Sequence, residues 1–125
     1  MIAMIRDTLS QMAHNNERTP CALEGGAYCA NFEILPAGTP WLQAKVGVIN
    51  IYFPFEEPPN KIFKRHGLDS LPSIAYPAWK ANQFATVTFD SLAVDDYATY
   101  VDRVFRELFG LSHGYTVSTE VFDMR

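Results

Sequence analysis

The groups with which this chain could do chemistry are few and scattered. His14, His66 and His113 stand alone, without partners at metal-ligand spacing, and Cys21 and Cys29 form no C-x-x-C pair. No G-x-S-x-G elbow or S-x-x-K pattern supplies an activated serine. Cys29 falls in an alternating apolar run, where a buried thiol behaves as a small inert hydrophobe. His113, between Ser112 and Gly114, has the setting of a surface turn, although a cleft beside it would make it a base. Glu56–Glu57 and Asp95–Asp96 are sequence neighbours, which do not face each other as a catalytic pair must. Gly25–Gly26 lacks the lysine and glycine spacing of a phosphate cradle and reads as a turn. The expectation is a protein without catalytic residues, metal or cofactor.

The elements around these groups are clearer. The 125 residues are 48% hydrophobic and 19% charged, the balance of a single globular domain over residues 1–125. A chain of this length buries roughly two-thirds of its unfolded surface, so it needs no disulfide to fold. The net charge of −4 argues against nucleic acid and anionic membranes as partners, because both reward positive surface. No apolar run reaches the roughly 20 residues of a membrane span. Charge enters at Arg6 and Asp7, too early for a secretory segment. The expected location is cytoplasmic, with the cysteines reduced.

Ile2, Ile5, Leu9 and Met12 keep helical spacing and predict a first helix ending near His14–Asn16. Cys21–Leu23 reads as a short extended piece before the Gly25–Gly26 turn. Tyr28, Ala30, Phe32 and Ile34 alternate with Cys29, Asn31 and Glu33, predicting a strand with one buried face. The turn residues Pro36 to Pro40 lead into Trp41–Phe53, read as one long central strand with Gly47 at a bulge or a close backbone approach. The prolines of Phe53–Pro59 take the chain out of the sheet. Asn60–His66 predicts a short helix stopped by Gly67, and Leu68–Pro77 predicts irregular chain. Phe84–Phe89 is a further strand.

Tyr97, Tyr100, Val101, Val104, Phe105, Leu108 and Phe109 form one apolar stripe. They predict a long helix capped by Asp90 or Ser91, with Asp95 and Asp96 in its first turn and Gly110 at its end. Tyr115–Phe122 predicts a last strand. The fold class is therefore α+β: a two-layer sandwich, an antiparallel sheet of about four to five strands covered by an N-terminal helix and a long later helix.

The aromatic surplus is the most suggestive feature: nine Phe, six Tyr and two Trp make 14% of the chain. Phe53, Phe55, Phe63, Tyr76 and Trp79 crowd into the segment between strands, where they either plug the core or form a partner-binding surface. Lys61, Lys64, Arg65 and His66 form the only basic cluster, which with Lys80 would make a small anion-binding patch. Lys61, Lys64 and Arg65 would rim the aromatic surface, docking an acidic segment of a partner. The competing expectation is a ligand pocket between sheet and helix, walled by Tyr28, Phe32, Tyr97 and Tyr100, with His113 or Cys29 supplying chemistry. The charge also permits an acidic inhibitor of a basic enzyme.

The order of elements resembles the type III secretion chaperone fold and the wider YbjN-like group. The matching parts are the helix Ile2–Met12, the strands Tyr28–Ile34 and Trp41–Ile51, the helix Asp95–Phe109 and the strand Tyr115–Phe122. The resemblance implies a homodimer that holds an extended segment of another protein against apolar patches, through main-chain hydrogen bonds and side-chain pockets.

Overall fold

The structure is a computed structural model and describes residues 2–19 and 26–124. The extended piece expected at Cys21–Leu23, and Gly25 of the expected turn, lie outside the described residues. The described elements are α1 (Ile2–Glu17), β1 (Tyr28–Ile34), β2 (Trp41–Lys45), β3 (Val48–Phe53), α2 (Pro59–Arg65), β4 (Ala75–Lys80), β5 (Gln83–Thr88), α3 (Val94–Arg103), a π-helical segment (Val104–Leu108) and β6 (Val117–Asp123). The six strands form one antiparallel sheet in the order β4-β5-β3-β2-β1-β6, so the fold class is α+β.

The sheet has six strands rather than four or five, for two physical reasons. The run Trp41–Phe53 is not one strand. It folds back at Val46–Gly47, with Lys45 paired to Val48. Gly47 takes φ +71°, and its carbonyl accepts the amide of Phe89 at 3.0 Å. A Cβ at this position would stand 2.9 Å from the Phe89 carbonyl oxygen. The close backbone approach is thus real, but it serves a tight turn and not a bulge. Replacing Gly47 with Ala is expected to cost about 2 kcal/mol, read as a lower urea midpoint with an unchanged slope.

The second reason is β4, which arises from the stretch expected to be irregular. Pro77 is tolerated because β4 lies at the sheet edge, where a missing amide costs no ladder bond. A register shift between Ala75 and Ala78 bends the strand around it.

Alternation and register put Ala30, Phe32, Leu42, Ala44, Ile49, Ile51, Ala85 and Val87 on one face. They are buried in a single core with Ile5, Leu9 and Met12 of α1, Ile62 and Phe63 of α2, and Tyr97, Val101, Val104 and Phe105 of the late helix. Asn31, Gln43, Asn50 and Thr86 alternate onto the other face, where Thr86 donates to Asn50 Oδ1 at 2.6 Å.

The late helix departs from its sequence pattern at both ends. Its N-cap is Ala93, without a side-chain hydrogen bond, so neither Asp90 nor Ser91 caps it. Asp95 and Asp96 do occupy the first turn. From Val104 to Leu108 the helix widens to π geometry while Val104, Phe105 and Leu108 stay buried. The last strand begins at Val117, leaving Tyr115 in the approach to it.

Tyrosine hydroxyls fasten this helix to its surroundings. Tyr97 donates to the carbonyl of Lys45 at 2.6 Å, and the Val48 carbonyl lies 3.1 Å away, so its hydroxyl latches the β2–β3 turn. Tyr100 donates to Leu68 at 2.8 Å, beside the bond from Arg103 to Gly67 at 3.0 Å. The stripe read as purely apolar therefore carries buried polar ends, each satisfied as burial demands.

Candidate functional site

α2 begins on Pro59, whose fixed φ suits a first helical position, and stops before Gly67 at φ +68°. Lys64 and Arg65 occupy its last turn, favourable to the helix dipole. Its apolar side packs on β4, with the Phe63 and Tyr76 rings edge to face at 5.4 Å. A second cluster forms where β3 ends. Phe53 meets Phe55 at 5.0 Å and Trp79 at 6.1 Å, again edge to face.

The five aromatics singled out in the sequence thus come together at the β4–α2 corner in two groups, and their exposure differs sharply. Phe53 and Phe63 are fully buried, both at 0%, and act as core. Phe55 and Tyr76 are half-buried against it, while Trp79 is 38% exposed. The Tyr76 hydroxyl is enclosed without a hydrogen-bond partner. Burial, and secondarily the charge of Asp69, pushes its pKa up to about 12.

The basic rim is reduced in the same way. Arg65 directs one guanidinium nitrogen at both oxygens of Glu57, at 2.8 and 3.1 Å. The hydrogen bond from Arg65 lowers the Glu57 pKa, and the nearby charge acts the same way. Glu57 is therefore a paired residue and not a free loop carboxylate, though an exposed pair of this kind contributes little stability. Lys61, Lys64 and Lys80 remain exposed.

The alternative pocket has different geometry. Phe32 is fully buried, and Tyr97 and Tyr100 spend their hydroxyls on backbone carbonyls. Cys29 is buried, and its thiol is raised to about 11 chiefly by that burial, which leaves it protonated and unreactive near neutrality. Phe32, Tyr97 and Tyr100 are thus packed core, and Tyr28 is part-buried against it.

One polar cluster was not foreseen. Asp102, 4% exposed, accepts the Tyr115 hydroxyl at 2.6 Å and the Arg106 Nε at 2.8 Å. Arg106 also lies 3.4 Å from His113 Nε2. The Asp102–Arg106 spacing of four is legible as a helical ion pair, but its burial under Tyr115 is a tertiary fact. The cluster joins the π-helical segment to the approach of β6. Every polar atom on Asp102 is already engaged, so it serves as an anchor.

Among the described residues, no group of three or more His, Cys, Asp or Glu converges as a metal site would require. No described helix is long and apolar enough to cross a membrane. Compared with family models, with curated proteins and with solved structures, the chain matches none.

Proposed function

We propose that this chain is a non-enzymatic, cytoplasmic protein-binding domain, a two-layer α+β sandwich that contacts its partner through the β4–α2 corner. The observation that carries this reading is Trp79: a large aromatic, 38% exposed on an edge strand, backed by Phe53 and Phe55. Exposed tryptophans on a rigid aromatic base are the common anchors of protein interfaces. The exposed Lys61 and Lys64 supply a polar rim that selects acidic side chains.

Side chains, not strand addition, make the contact. Pro77, the register shift and Lys80 are the devices that keep an edge strand from pairing with foreign chains. This narrows the chaperone-like mode implied by the order of elements, in which main-chain bonds hold an extended segment. It keeps the apolar patch and the protein partner, of which a second copy of this chain is one form. Sedimentation velocity distinguishes a homodimer from a heteromeric complex.

The rim is tested by reversing charge at Lys61→Glu and Lys64→Glu together. Association with the partner should slow about tenfold and lose most of its salt dependence, while dissociation changes little. An unchanged association rate contradicts the role given to α2.

A further inference from the structure

The core takes the face of the sheet that carries Phe32 and Ile51, and the strands build a different surface on the other face. Phe84 is paired with Tyr52 and with Lys80, and Trp41 with Glu33. Trp41 precedes Leu42 and Tyr52 follows Ile51, which are themselves partners, so three aromatic side chains adjoin across β5, β3 and β2. Beside them runs a polar row of Thr86, Asn50, Gln43, Asn31 and Glu120. The three aromatics and the three amides are half-buried. The Phe109 ring stacks on Tyr52 at 6.3 Å and braces it.

Charge is divided across this face. Lys80 lies on β4 at one edge of the sheet, while Glu33 on β1 and Glu120 on β6 lie toward the other. We infer that this face is the contact between two copies of the chain, stacked sheet on sheet about a two-fold axis parallel to the strands. An axis over the β3–β2 pair sets β4 of one copy across β6 of its partner, β5 across β1, and β3 across β2. Lys80 then meets the partner's Glu33 and Glu120, and the symmetry repeats the contact at the opposite edge. Trp41 meets the partner's Tyr52, and Gln43 meets the partner's Asn50. Opposite charges, rings and amides thus find their counterparts in one arrangement, the self-complementarity that a two-fold interface requires.

The area is sufficient. Six strands about 4.8 Å apart and roughly six residues long present a face of about 29 by 20 Å. Two such faces bury roughly 1,200 Å² together, the lower end of the range for specific stable interfaces. Aligned packing of sheets about 10 Å apart leaves room for the aromatic side chains of both copies to interdigitate. Lys45, the remaining charge on this face, stands at the β2–β3 turn and so at its rim.

This contact leaves the β4–α2 corner free, because Trp79 is paired with Ala85 and so belongs to the core side of β4. Either surface can fail without the other. The test is sedimentation velocity of the purified chain over a range of concentrations. The expected result is a reversible dimer that Trp79→Ala leaves unchanged. Lys80→Glu should weaken self-association about tenfold, and so should Glu33→Lys with Glu120→Lys. Combining all three substitutions should restore it to near the wild-type strength, because the opposed charges are then exchanged and not lost.

Asn50→Arg, at the centre of the face, should abolish the dimer by placing two like charges against each other. The charge exchange serves if that variant does not fold, since Lys80 and Glu120 are exposed and Glu33 lies outside the core. The inference is overturned if the chain stays monomeric up to about 0.1 mM, the weak end for a specific interface. It is equally overturned if the dimer survives a folded Asn50→Arg, or if the exchanged charges do not restore association. A dimer lost with Trp79→Ala would also overturn it, because the copies would then meet at the β4–α2 corner.

Discussion

Replacing Asp102 with Ala is expected to destabilise the domain by about 3–5 kcal/mol, the usual cost of breaking a buried, hydrogen-bonded ion pair. Its carboxylate is 4% exposed and has both oxygens engaged, one by Tyr115 and one by Arg106. Removing it leaves the Tyr115 hydroxyl buried without an acceptor and the Arg106 charge without its partner. Arg106 keeps about a quarter of its side chain in water, at 27% exposure, which places the cost toward the lower end of that range.

Tyr115→Phe removes only one bond and should cost about 2 kcal/mol, because a charged acceptor loses its donor. The two changes share one interaction, so the double variant should fall well short of their sum. Equilibrium urea unfolding of the four proteins gives this coupling directly. Additive losses, or an Asp102→Ala cost below about 1 kcal/mol, would show that the cluster is not an anchor.

Alkaline pH should unfold the protein cooperatively. Burial raises the pKa of Tyr97 and Tyr100, and burial with the Asp102 carboxylate raises that of Tyr115. Below the ordinary tyrosine pKa, both folded and unfolded chains keep these protons, and stability is unaffected. Above pH about 10 the unfolded chain releases them while the folded chain holds them. Stability is therefore lost as pH rises toward the folded-state values, by about 1.4 kcal/mol per pH unit for each tyrosine.

Three such residues give a slope of about 4 kcal/mol per unit, and Tyr76, pushed up to about 12, acts with the same sign below that pH. Cys29, raised from 9.0 to about 11, has the same sign and begins to act one unit lower. A domain of ordinary stability, about 5–15 kcal/mol, is then exhausted within a few units above pH 10. Tyrosinate absorbance and far-ultraviolet circular dichroism should change together in one step. Gradual ionisation of all six tyrosines near pH 10 with the dichroism intact would contradict the buried hydroxyl network.

Much of this arrangement is visible in the residues, and the exceptions have physical reasons. The period of Ile5, Leu9 and Met12, the alternation through Phe32, and the stops at Gly67 and Gly110 announce α1, β1, α2 and the end of the late helix. Each is local, set by side-chain spacing or by one residue's backbone freedom. The Val46–Gly47 turn is hidden because Val46 extends an apolar run, so only the fold-back shows that Gly47 is reversing the chain.

β4 is hidden for the opposite reason. An edge strand exposed along most of its length has no alternation to read, and Pro72 and Pro77 argue against regularity. The π geometry leaves no trace either, since Val104, Phe105 and Leu108 would also be buried on an α-helix. The aromatic cluster was legible as a cluster. Its division into core and surface was not, because Phe53 and Phe63 are distinguished from Trp79 only by what packs over them. Asp102 follows the same rule: its pairing with Arg106 is a matter of spacing, its burial a matter of where Tyr115 arrives.

The central claim is that Trp79 anchors a protein partner. The direct measurement is recovery of co-purifying protein from the native host by the tagged wild-type chain and by its Trp79→Ala variant, quantified by mass spectrometry. Circular dichroism checks that both are folded. The account predicts one partner at stoichiometric level with the wild type. It predicts an affinity loss of about 2 kcal/mol, or roughly 30-fold in Kd, for the folded variant. No partner at stoichiometric level, or equal recovery by a folded Trp79→Ala protein, would contradict it.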